Sequence, residues 1–139
     1  MTVQRAGSGA PPADLLRRFA LAAAPARAAV TLRIAGAAEG KRLNGKFRGK
    51  NYATNVLSFP YGRGSGDVVL CHPVIAREAR EQGKTLRAHY AHLVVHGILH
   101  LHGHDHMSRS DAARMERAEI RILRRLGFGD PYAADAPVK

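Results

Sequence analysis

The sequence predicts an α+β fold: a single domain with a small mixed β-sheet of about four strands packed with about five helices. Three observations carry this. A chain of 139 residues is long enough for one hydrophobic core and hardly for two. Apolar residues alternate in short runs within 28–35, 55–60 and 66–71, and recur at helical spacing after Pro12 and from residue 73 onward. Hydrophobic residues make up 45% and charged residues 24%, ordinary values for a globular protein, which excludes wholesale disorder.

Each element has its own signal. Residues 1–12 are rich in Gly, Ser, Ala and Pro and read as a flexible N-terminal arm, or at most as one weak strand over residues 2–5. Pro12 suits a first helical turn; Leu15, Leu16, Phe19 and Ala23 mark one helix face, and Pro25 must end it. Residues 28–35 form a half-buried strand with Val30, Leu32 and Ile34 on one face. A short helix over 41–47 follows, stopped by Gly49. Strands over 55–60 and 66–71 flank a turn at Gly62, Gly64 and Gly66. The remainder is helical: 73–82 ended by Gly83, 85–101 capped by Thr85, and 110–126 ended by Gly127. The single folded domain is expected to span 13–132, with 133–139 as a C-terminal tail.

Composition also excludes functions. Cys71 is the only cysteine, so an intramolecular disulfide and a cysteine-based zinc finger are impossible, and a reducing cytoplasm fits best. No run of 18 apolar residues exists, and the stretch 19–24 is too short to span a membrane or to serve as a signal. Against these ordinary features stands a formal net charge of +11, which suits a polyanionic partner or reflects a lineage rich in Arg.

The chemistry is concentrated in one window. All eight histidines lie between His72 and His106, seven of them from His89 onward. His96 and His100 sit four apart, on one face of the 85–101 helix, close enough for both imidazoles to reach one ion. Gly103 permits a sharp turn that brings His106 to the same point. Three protein ligands leave an open position for water or substrate, as a catalytic metal requires. Zinc is the default for three neutral nitrogens; nickel, copper or cobalt would also accept them. The metal site thus falls at the end of a central helix.

The spacing of His96, His100, Gly103 and His106 also matches metzincin peptidases. Those enzymes carry a glutamate base directly after the first histidine, where this chain has Gly97, whose likelier role is close helix packing. His89 and His92 extend the stripe and read as packing or substrate-facing residues. His102 and His104 read as polar residues near the site, and Asp105 either orients a ligand imidazole or caps the turn. Cys71 reads as a small buried hydrophobe at a strand end.

The segment from His96 to His106, H-G-I-L-H-L-H-G-H-D-H, closely resembles the H-G-x-L-H-L-x-G-x-D-H signature of the YbeY family, bacterial endoribonucleases of ribosomal RNA maturation. The resemblance extends through Leu43-Asn44, Phe47-Arg48, the run Thr54-Asn55-Val56-Leu57-Ser58-Phe59-Pro60, Gly66-Asp67, Met115 and Glu119, covering roughly residues 28–132. It departs mildly at His102 and His104, and the 61–65 loop looks short.

The resemblance implies zinc, one ion per chain, on His96, His100 and His106, with Arg48 as the arginine needed for RNA cleavage. It also implies a single-strand-specific endoribonuclease of 16S rRNA 3′-end maturation and ribosome quality control. RNA and the ribosome or its proteins are then the expected partners, with neither membrane nor DNA.

The charge surplus has a matching location. Residues 1–66 hold eleven basic and two acidic residues, and residues 41–50 five basic and none acidic. Lys41, Arg42, Lys46 and Lys50 can line a groove for a phosphodiester backbone, with Arg48 best suited to a bidentate grip near the metal. The basic residues of the last helix read instead as a solvated face tempered by Asp111, Glu116 and Glu119. Two rival functions are an RNA-binding assembly factor with a structural zinc and a zinc metallopeptidase. With no glutamate base in the helix, either metal-activated water or the RNA 2′-hydroxyl is left as nucleophile.

Overall fold

The computed structural model describes residues 1–7, 9–25, 27–62, 64–101 and 109–133, without the Arg109 side chain. The elements run β1 (Thr2–Arg5), α1 (Ala13–Ala23), β2 (Val30–Ala35), α2 (Ala37–Arg48), β3 (Val56–Gly62), β4 (Ser65–Cys71), α3 (His72–Glu81), α4 (Leu86–Leu101) and α5 (Arg109–Arg125). The four strands form one sheet in the order β1-β2-β4-β3. β1, β2 and β4 are parallel, and β3 is antiparallel to β4, so the expected mixed sheet is present.

Alternation along the strands sends side chains to two different faces. Val30, Leu32, Ile34, Val68 and Leu70 join the main core with α1, α4 and α5. Ala35, Leu57 and Val69 face the other way, into a smaller cluster partly covered by Leu43 and Phe59. That second face is left largely open.

Two elements differ from the sequence expectation. Thr2–Arg5, inside the segment read as a flexible arm, is an edge strand with Val3 opposite Leu32 and Arg5 opposite Ile34. Met1, Val3 and Ala10 pack on the main core, so the weak-strand alternative is the one adopted. The helix expected over 41–47 instead begins at Ala37. Gly40 does not break it, because a Cβ there would lie 2.9 Å from Cys71 Sγ and the missing side chain lets the helix close on the sheet end. At its other end Gly49 adopts φ 68°, the left-handed C-cap that stops the helix.

α4 carries the site and runs through the middle of the fold. Ten of its sixteen residues are buried, as expected of a helix that is apolar on most sides. Thr85 starts it, its Oγ1 accepting from the Ala88 amide at 3.0 Å. Gly97 fixes its depth: a Cβ there would meet Val68 Cγ1 at 2.7 Å, and the Gly97 carbonyl accepts from Ser58 Oγ at 3.0 Å. The glycine at that position is therefore explained by packing, as its sequence suggested. Among the described residues no helix is long and apolar enough to cross a membrane.

Candidate metal centre and RNA groove

His96 and His100 project from one side of α4, half-buried, with their Nε2 atoms 3.1 Å apart. Two nitrogens bound to one tetrahedral ion at roughly 2.0–2.1 Å each stand about this far from one another. The pair therefore fits a shared ion. His106, expected as the third ligand, lies outside the described residues, as do His102, His104 and Asp105.

Glu119 of α5 organises the pair from behind. Its side chain is fully buried and one oxygen lies 2.5 Å from His96 Nδ1. Tyr132 donates its hydroxyl to the other oxygen at 2.5 Å, and His92 Nε2 stands 3.5 Å from the carboxylate and 3.2 Å from the Tyr132 hydroxyl. Burial alone would raise the Glu119 pKa, but the hydrogen bonds from His92, His96 and Tyr132 outweigh it and hold the carboxyl at about 2. An ionised carboxylate only accepts, so His96 carries its proton on Nδ1 and its Nε2 lone pair faces His100.

This corrects the sequence reading of Glu119 as part of a solvated, arginine-tempering face. Among the acidic residues of α5, Asp111 lies 3.9 Å from Arg114, whereas Glu119 turns inward. The available signal was periodicity: Glu119 shares the buried face of Met115, Ala118, Ile122 and Leu123. A carboxylate on an apolar helix face asks for a buried partner. One ligand atom each from His92, His96 and Glu119 lies within 4.8 Å of the others, so this set also could hold a metal ion.

His89 serves packing. His89 is 3% exposed and places Nε2 2.9 Å from Glu78 Oε1; burial pushes its pKa down despite that partner. Glu78 also accepts from Asn55 Nδ2 at 3.1 Å, which ties the start of β3 to α3 and α4. Cys71 is buried, with its Sγ 3.6 Å from the Gly36 carbonyl.

A groove of about 690 Å³ opens beside the two histidines. Its lining includes His96 and His100 from α4, Arg48 from the end of α2, and Thr54, Asn55 and Ser58 from β3 and its approach. Arg48 is exposed there, a cation held in the same groove as the histidine pair. Lys41, Arg42, Lys46 and Lys50 do not line it. They border a separate, shallower hollow of about 540 Å³ along α2. Of the residues singled out from sequence, the structure thus joins Arg48 to His96 and His100 and sets the lysine cluster apart.

Residues 14–127 match the family described as Endoribonuclease YbeY. This chain belongs to the YbeY endoribonuclease family. It is 54% identical over 141 residues to the protein named Endoribonuclease YbeY from Aromatoleum aromaticum, covering 96% of this chain and 92% of that one. The Nitrosomonas eutropha protein of the same name is 52% identical, with 95% and 97% coverage. A solution structure of a Thermotoga maritima protein superposes with a TM-score of 0.58 at 26% identity, covering 94% of this chain and 99% of that one. Family membership agrees with the resemblance read from His96 to His106.

Proposed function

We propose that this chain is a metal-dependent endoribonuclease that cuts single-stranded RNA during ribosomal RNA processing, including 16S rRNA 3′-end maturation and ribosome quality control. The observation that supports it most is the groove shared by Arg48, His96 and His100, found in a chain of the YbeY family. Its expected setting is the cytoplasm, with ribosomal RNA as substrate and the ribosome or its proteins as partners.

In this reading His96, His100 and His106 hold one divalent ion, with zinc the default for three neutral imidazoles. Such an ion supplies Lewis acidity toward a phosphodiester. The chain's own residues do the rest. Glu119 keeps the His96 proton on Nδ1 and fixes the ring. Arg48 grips phosphate oxygens and stabilises charge developing on them, with its two-pronged guanidinium suited to the task. Lys41, Arg42, Lys46 and Lys50 attract the flanking backbone from their own hollow.

The deciding assay incubates metal-loaded and EDTA-stripped protein with precursor 16S RNA and with a peptide library. Metal-dependent RNA cuts support this function. RNA binding without cuts would favour an assembly factor with structural zinc, and peptide cuts a peptidase, which Gly97 disfavours.

A further inference from the structure

Two cavities meet at one aromatic ridge. Phe47 and Phe59 line the groove that holds His96 and His100, and both also line a second hollow of about 640 Å³ on the open face of the sheet. Their rings sit edge to face, with centroids 5.0 Å apart. Tyr61 follows Phe59 on the same face of β3 and borders the second hollow. Phe47 is 55% and Tyr61 70% exposed. A single exposed aromatic needs no explanation, but two on the rim of a hollow continuous with a reactive groove form a surface that gains by being covered.

We propose that Phe47, Phe59 and Tyr61 form a stacking subsite for an unpaired nucleobase next to the scissile phosphate, leading the RNA strand from the His96–His100 groove onto the sheet face. The proposal rests on the endoribonuclease reading. Charge distribution selects the base rather than the phosphate as occupant. The hollow carries Glu39 and Asp67, the first paired with Arg33 at 3.0 Å and the second accepting from the Tyr61 hydroxyl. Carboxylates repel phosphates but accept from the amino and imino groups of base edges. Arg33, the cation within the hollow, is held by Glu39; of the others, Lys46 has its Nζ 5.4 Å from the Phe47 ring centroid and Arg48 lines the reactive groove. Phosphates thus fall on the flanks and a base on the ring faces, the arrangement by which proteins hold single strands. A base locked in a duplex could not reach the ridge, which gives a physical source for a single-strand preference.

The test is a cycle on the metal-loaded protein with a labelled single-stranded RNA that it cuts. One arm replaces the base flanking the cut by an abasic nucleotide; the other uses Tyr61→Ala and Phe47→Leu, which keeps apolar contact with Phe59. Removing the base, or removing the rings, should each weaken binding about tenfold, and both together no more than either alone. KM should rise while kcat and metal content stay near parental values. Phe47→Trp and Tyr61→Phe, which keep a stacking face, should bind like the parent. Multiplying losses, or parental affinity in Tyr61→Ala and Phe47→Leu while cutting continues, would overturn the subsite and point to a basic peptide as occupant of the hollow. A parent that neither binds nor cuts RNA would overturn the endoribonuclease reading and the subsite with it.

Discussion

Glu119 on α5 accepts a hydrogen bond from His96 Nδ1 on α4 at 2.5 Å, with the carboxylate wholly removed from water. Two residues 23 positions apart in sequence are thereby joined across the two helices, in the register that aims His96 Nε2 at His100. An imidazole held this way is a better-oriented ligand than one free to rotate.

Glu119→Gln removes the charge but keeps the size of the side chain. Metal affinity, followed by titration against a competing chelator, should fall roughly 10–100-fold. Unchanged affinity would mean that the carboxylate serves packing alone.

Gly97→Ala probes how α4 is seated. The added methyl would lie 2.7 Å from Val68 Cγ1, so either the helix or the sheet must move. A loss of about 1–3 kcal/mol in unfolding free energy by urea titration is expected, together with weaker metal binding because His96 and His100 move with the helix. Parental stability would show that the interface is looser than its geometry implies.

Arg48→Glu separates fold from chemistry. Arg48 is exposed at the end of α2, so thermal midpoint and metal content should stay near parental values while RNA cleavage is abolished. Unfolding or loss of metal in this variant would make Arg48 structural.

The legible part of the molecule is the local part. The four-residue step from His96 to His100, the stops at Gly49 and Gly127 and the apolar face of β2 all follow from neighbours in sequence, and each stands where its pattern placed it. What escaped depends on distant partners. Thr2–Arg5, legible only as a weak-strand alternative to a loose arm, is a strand because β2 offers its edge. The helix expected to start at residue 41 starts at Ala37, because Gly40 lets it close on Cys71. Glu119 reads as a surface charge unless its place between Met115 and Ile122 is weighed above its arginine neighbours.

The lysine cluster makes a prediction through salt. If Lys41, Lys46 and Lys50 neutralise phosphates, RNA affinity should fall steeply with salt, and each Lys→Ala change should reduce the log–log slope by roughly 0.7. A slope unchanged by removing Lys41, Arg42 and Lys46 together would place the RNA away from the α2 hollow.

The most direct test is the metal content of purified variants by elemental analysis. The parent should carry about one ion per chain, and His96→Ala, His100→Ala and His106→Ala should each reduce occupancy sharply, with His92→Ala, His102→Ala and His104→Ala retaining it. Full retention in His100→Ala or His106→Ala combined with loss in His92→Ala would contradict the account and move the ion to the His92, His96 and Glu119 set.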